Sequence, residues 1–161
     1  PGVFLTWLNR ALYPDLNRAD MFVTAQLVFL DLRRCELRTA SAGHCPALLG
    51  GRDSPVRELA ADGPPLGISA QTIWAEQRVA LPDDARLVLF TDGLMESRDG
   101  SGSLVGMDRV KAALNAAIHR RASADEIRDT LLTLAAKFQG GRAAADDLTL
   151  LILAAAPKPG A

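Results

Sequence analysis

Arg86-Leu87-Val88-Leu89-Phe90-Thr91-Asp92-Gly93-Leu94-Met95-Glu96 is an apolar run that stops on a carboxylate followed by a glycine. Four consecutive large apolar residues, Leu87 to Phe90, predict a strand buried on both faces, because a half-exposed strand would alternate. Asp92 then stands at a rigid strand end, where it needs a cation, donors or water to offset its desolvation. Gly93 lets the backbone turn tightly or approach a ligand closely. Two readings stand at this point: Asp92 as a metal ligand, or Asp92 as the cap of a following helix. A second acidic site far along the chain, Asp146-Asp147, bears on the choice.

The frame around this stretch is an ordinary one. With 161 residues, a net charge of −1 and 48% apolar residues, the chain is sized for one globular domain with a real core. That charge balance supplies no field for nucleic acid, which is not an expected partner. Cys35 and Cys45 lie outside any Cys-x-x-Cys or Cys/His cluster and fit reduced thiols better than a disulfide framework or a zinc site. The apolar run Leu148 to Ala156 is about half of what a bilayer requires, so no membrane span is expected and the run reads as a buried strand plus tail. The chain begins on Pro1 with no methionine and no basic-then-apolar leader, which reads as a cytoplasmic piece of a longer protein.

Upstream of the central stretch, Phe4, Leu8 and Leu12, with Val3 and Trp7 beside them, predict an amphipathic helix over residues 1–13 that closes at Pro14. Trp7 and Trp74 are expected in the core or at its rim. Phe22 to Leu32 and Cys35 to Ser41 flank a polar turn and predict a hairpin. Short strands follow at Pro46 to Leu49 and Val56 to Leu59, then a stiff loop over Asp62 to Ile68, then a strand with one wet face over residues 71–81. Downstream, stripes Met107-Val110-Leu114-Ile118 and Ile127-Leu131-Leu134-Phe138 predict two helices. The second opens on a capping box, Ser123 with Glu126, and ends at Gly140-Gly141. Leu148 to Leu153 is a last apolar strand. Grouped strands followed by paired helices indicate α+β architecture with largely antiparallel sheet. The same order excludes a response-regulator receiver, which needs alternating strands and helices.

Asp92 leaves one apolar strand and Asp146 precedes another, so the two would meet at one rim of a sheet if those strands were antiparallel neighbours. Oxygen-only ligands suit Mg²⁺ or Mn²⁺ rather than zinc. Five motifs then occur in order: Met21-Phe22-Val23-Thr24, Ala42-Gly43-His44-Cys45-Pro46-Ala47-Leu48-Leu49, Gly63-Pro64-Pro65-Leu66-Gly67-Ile68, Leu89-Phe90-Thr91-Asp92-Gly93-Leu94-Met95-Glu96 and Asp146-Asp147-Leu148-Thr149-Leu150. Together they closely resemble the bacterial branch of the PPM metal-dependent serine/threonine phosphatases, the stage II sporulation protein E-like domains, from about Val3 to Leu153.

The resemblance implies an antiparallel β-sandwich flanked by helices, with residues 1–154 as the phosphatase-like domain and 155–161 as a loose tail. It implies a two-ion Mn²⁺ or Mg²⁺ site at one end of the sandwich, and the candidate metal residues are Asp92, Asp146, Gly93 and Asp147. The implied reaction is hydrolysis of phosphoserine or phosphothreonine by metal-held water, with no covalent phosphoenzyme and no nucleophilic side chain. The implied substrate is a phosphorylated anti-sigma-factor antagonist or similar small signalling protein. One departure matters: family members carry an upstream Gly-Asp-x-x-Asp-like motif that supplies a bridging ligand, and this chain starts after it. Two divalent ions bring four positive charges, whereas Asp92 and Asp146 supply two negative ones, three with Asp147. Hence the rival expectation is a truncated or degenerate non-catalytic module that binds a signalling partner. Strands missing from the sandwich would expose an edge, which points to pairing with an upstream segment or to a homodimer, beside an upstream sensor or receiver domain in the parent chain. His44 reads as a structural turn residue, His119 as a helix-terminal one, and Arg142 as a solvated partner of the acidic loop or a phosphate contact.

Overall fold

The computed structural model describes residues 1–59, 63–141 and 146–155. The order of elements is α1 (Gly2–Ala19), β1 (Ala25–Asp31), β2 (Glu36–Ala42), β3 (Leu48–Gly51), β4 (Ser54–Glu58), β5 (Gln77–Ala80), β6 (Arg86–Phe90), a 3₁₀ turn (Asp92–Leu94), α2 (Gly106–His119), α3 (Ala124–Gln139) and β7 (Leu150–Ala154). The strands make a three-stranded sheet, β1-β2-β5, and a four-stranded sheet, β4-β3-β6-β7. Every ladder between them is antiparallel. This is the expected α+β class. The chain gathers into two compact units, Pro1–Ala47 with Leu59–Leu81, and Leu48–Glu58 with the chain from Pro82 onward.

In the first unit the hairpin forms where the turn chemistry put it. Asp31 Oδ1 accepts from the N–H groups of Arg33 and Arg34 at 3.1 and 3.0 Å, closing the β1–β2 turn. The α1 helix differs from its expected form. It runs through Pro14 to Ala19 and ends on Asp20 in the left-handed conformation. An internal proline costs about 3 kcal/mol. Leu5, Leu8, Leu12 and Leu16 all pack into a cluster with Ala40, Ala42, Leu66 and Trp74, and a fully buried leucine returns roughly 1.5–3 kcal/mol, so continuing the helix wins. The inward stripe therefore starts at Leu5. Val3, Phe4 and Trp7 face out, with Trp7 62% exposed, whereas Trp74 is 3% exposed.

Asn9 is the buried polar residue in that helix, at 0% exposure. Its side-chain amide donates to the Ser69 carbonyl at 2.9 Å and its oxygen accepts from the Gly67 N–H at 2.9 Å, clamping the proline-rich loop to α1. Asn9→Ala orphans both loop groups, and an urea-unfolding measurement should find the chain less stable by about 2–3 kcal/mol. The strand expected over 71–81 shrinks to Gln77–Ala80, which pairs with Glu36–Thr39. Ahead of it Trp74 turns inward, its indole N–H donating to the Pro64 carbonyl at 3.0 Å, and the chain follows that anchor instead of the ladder. Asp62 of the expected loop lies outside the described residues.

In the second unit β3 runs on through Gly50 and Gly51, past the strand expected over Pro46 to Leu49. A Cβ on Gly50 would stand 2.8 Å from Val56 Cγ2 and 2.9 Å from Ile118 Cδ1, so glycine lets those two side chains pack directly on the strand. In β6, Leu87, Val88 and Phe90 are buried and Leu89 half-buried, close to the two-sided burial expected. The capping box of α3 is present: Ser123 Oγ accepts from the Glu126 N–H at 3.2 Å and Glu126 Oε2 accepts from the Ser123 N–H at 2.7 Å. That backbone bond is the main reason the Glu126 carboxyl is held below its ordinary value. Gly140 closes the helix in the left-handed conformation. β7 departs from the buried strand expected of Leu148–Leu153. It is the edge strand of its sheet, and Leu151 and Leu153 are 54% and 41% exposed, because nothing among the described residues covers the face they share. No described helix is long and apolar enough to cross a membrane.

Candidate metal centre

β6 and β7 pair in register Phe90↔Leu150, Leu89↔Leu151 and Val88↔Ile152. The residue that leaves β6 and the residue that enters β7 therefore face each other at one end of the sheet. Thr91 ties the two together. Its N–H donates to the Thr149 carbonyl at 3.1 Å. Its Oγ1 donates to the Asp147 carbonyl at 2.9 Å and accepts from the Thr149 N–H at 2.9 Å. Two residues that read only as motif neighbours thus extend the ladder beyond the strands and fix the height of Asp92 against Asp146-Asp147.

Gly93 completes the close approach. It is buried, and a Cβ there would stand 2.6 Å from the Asp147 carbonyl oxygen and 3.5 Å from that of Asp146. The adjoining turn is braced from behind: buried Ser97 donates from Oγ to the Gly93 carbonyl at 2.8 Å and receives the Gln139 amide of α3 at 3.2 Å. Ser97 and Gln139 had no sequence signature, since their pairing depends on how α3 packs.

The side chains at this rim are carboxylates in water. Asp92 is exposed; its carbonyl accepts from the Glu96 N–H at 2.9 Å, and its carboxylate makes no hydrogen bond or ion pair with a described residue. It does not cap a helix. The position before the 3₁₀ turn is Thr91, with no side-chain cap, so the capping reading of Asp92 fails. Asp146 Oδ1 accepts from the Asp147 N–H at 2.7 Å, and both residues are exposed. Exposed carboxylate oxygens suit a hard cation such as Mg²⁺ or Mn²⁺. In number they fall short: among the described residues no three His, Cys, Asp or Glu side chains converge on one point. The donor chemistry would fit such a cation, with Asp92 and Asp146 as the residues that would hold it.

The other candidates sit elsewhere. His44 is half-buried in its turn, with Nδ1 3.2 Å from Thr24 Oγ1. His119 Nδ1 lies 2.9 Å from the Asn115 carbonyl, one turn back in α2. Arg142 lies outside the described residues.

The profile of the stage II sporulation protein E (SpoIIE) family matches residues 1–155. The chain belongs to the SpoIIE family. Within it, this chain is 30% identical over 154 residues to the phosphoserine phosphatase RsbU of Bacillus subtilis (strain 168), a match covering 95% of this chain and 44% of RsbU. The SiaA-PP2C domain of Pseudomonas aeruginosa superposes with a TM-score of 0.79 at 22% identity, over 97% of this chain and 61% of that domain. The manganese-presoaked phosphatase domain of the cell fate determinant SpoIIE from Bacillus subtilis gives a TM-score of 0.63 at 18% identity, over 81% of this chain and 56% of that one. The resemblance read from the five motifs is thereby established as family membership and as a shared fold. This SpoIIE-family chain spans less than half of RsbU.

Proposed function

We propose that this chain is the part of a phosphoprotein phosphatase that carries Asp92, Gly93, Asp146 and Asp147 of a Mn²⁺ or Mg²⁺ centre, within a phosphatase-like domain covering residues 1–154. The observation that supports this most is the β6–β7 pairing, which brings Asp92 against Asp146-Asp147 in a chain of the SpoIIE family. In this reading the carboxylates of Asp92 and Asp146 hold the cations and leave their remaining positions to water. When bound, such ions lower the pKa of water and offset charge on the phosphoryl oxygens. Thr91 and Gly93 fix the distance between the two acidic segments. Leu94 and Ser97, buried behind the turn, keep the exposed carboxylates on a rigid base.

The substrate in this reading is a phosphoserine or phosphothreonine protein of the anti-sigma-factor-antagonist type. The parent chain adds an upstream sensor or receiver domain, and the protein works in the cytoplasm, alone or as a homodimer. A second reading, a non-catalytic module that binds a signalling partner, is favoured by one observation: no three potential ligands converge among the described residues. Phosphate release from a phosphoserine protein, measured across a wide range of Mn²⁺ and Mg²⁺, separates the two. The first reading expects turnover that appears with metal and vanishes with EDTA. Absence of turnover at every metal concentration assigns the chain to the second.

A further inference from the structure

A second charged feature lies at the other end of the same sheet. Arg86 opens β6 and Asp92 follows its end, a separation of roughly 20 Å at about 3.3 Å per residue. Here a partly enclosed cleft of about 220 Å³ is lined by Arg52, Asp84, Arg86, Ile118, His119 and Arg121. Three guanidinium groups and one imidazole thus face a single carboxylate.

That carboxylate is already matched. Asp84 Oδ2 accepts from Arg52 Nε at 2.8 Å and also from Arg52 Nη2. Arg86 has no carboxylate partner among the described residues. Its guanidinium is anchored through Nε to the Ala122 carbonyl at 3.4 Å and through Nη1 to the carbonyls of Asp84, Ala85 and Ala155 at 2.9, 3.2 and 3.5 Å, and Nη2 has no partner among the described residues. Arg121 makes no side-chain hydrogen bond or ion pair with a described residue. Its backbone is held left-handed at φ 57, because its N–H and that of Ala122 cap the end of α2 on the carbonyls of Ile118 and Ala117 at 2.9 and 3.0 Å. A non-glycine residue in that conformation carries strain of order 1 kcal/mol, so the corner fixes where this arginine starts.

We propose that this cleft binds a phosphoryl dianion. Subtracting Asp84 from Arg52, Arg86 and Arg121 leaves two positive charges, which matches one phosphate dianion. Guanidinium groups recognise tetrahedral oxyanions through paired N–H donors. The volume suits one phosphoryl group and is below the usual size of a nucleotide or drug-like pocket. The group is either free phosphate or the phosphoryl of a phosphorylated side chain. The site stands apart from the acidic rim and does not depend on the catalytic reading above.

Amide NMR titration of the chain at low salt with EDTA present tests it, using sodium phosphate in one arm and a phosphoserine peptide in the other. Saturable shifts centred on residues 52, 84–86 and 118–121 are expected in at least one arm, and the tighter arm identifies the source of the phosphoryl group. Arg121→Gly removes a guanidinium that no described residue engages and relieves the left-handed strain, so the fold is kept; it should weaken binding about tenfold. Asp92→Asn should leave binding unchanged. Absence of saturable shifts in both arms, or shifts undiminished in Arg121→Gly, overturns the site.

Discussion

Asp92→Asn is expected to lower Mn²⁺-dependent phosphoserine hydrolysis by about 10²–10³-fold while moving the melting temperature hardly at all. The substitution keeps shape and removes one negative charge. The Asp92 carboxylate is exposed and bonds to no described residue, so its loss costs the fold little; surface changes of this kind usually fall within about 0.5 kcal/mol. If Asp92 is a ligand as proposed, its loss should be felt strongly by the metal, since among the described residues no third carboxylate converges there. Removing roughly 3–4 kcal/mol of transition-state stabilisation corresponds to that rate loss at 1.36 kcal/mol per decade. Mn²⁺ titration of the two proteins by calorimetry gives an independent reading, with weaker binding expected in the variant even if the parent turns over slowly. Equal activity and equal Mn²⁺ affinity in parent and variant would remove Asp92 from the metal centre.

The parts of the structure legible from residues alone are those whose cause is local. Leu87 to Phe90 is buried because four apolar residues in a row cannot alternate. Ser123 and Glu126 form their box because both partners lie within one turn, and Asp31 closes the hairpin on amides two and three residues away. Where the deciding partner is distant, the sequence is ambiguous. Pro14 looked like a helix end, and it is overruled by leucines packing on β2 and Trp74. Trp7 and Trp74 are alike in sequence, yet Trp7 lies on the outward side of α1 while Trp74 turns inward onto the Pro64 carbonyl. Asn9 looks like any surface residue of an amphipathic helix until Gly67 and Ser69 reach it.

The acidic rim combines both cases. Asp92 and Asp146 stood out because each touches an apolar strand, and their meeting required only that those strands be antiparallel neighbours. Thr91 was quoted as part of a motif, yet its role as the bolt between Asp147 and Thr149 follows from the pairing geometry. The basic cleft was invisible for a related reason. Its arginines come from two turns, at residues 52 and 121, and from the first residue of β6, Arg86, with no spacing pattern to connect them.

Gly93→Ala separates geometry from charge at the same site. Gly93 is not among the residues with positive φ, so alanine meets no conformational penalty there, and the whole effect comes from contact. The added methyl would stand 2.6 Å from the Asp147 carbonyl oxygen and 3.1 Å from its carbon, and both are backbone atoms that cannot rotate away. The chain around Asp146-Asp147 has to retreat, which pulls the Asp147 carbonyl from Thr91 Oγ1 and widens the gap between the acidic segments. Overpacking of a buried position typically costs about 1–3 kcal/mol, so urea unfolding should show a loss in that range. Mn²⁺ affinity should fall as well, although no charge has changed. The pair of variants therefore carries opposite signatures: Asp92→Asn weakens metal binding with stability intact, and Gly93→Ala weakens both. A Gly93→Ala protein with unaltered stability and unaltered Mn²⁺ binding would show that the close approach of the turn to Asp147 does not set the geometry of the rim.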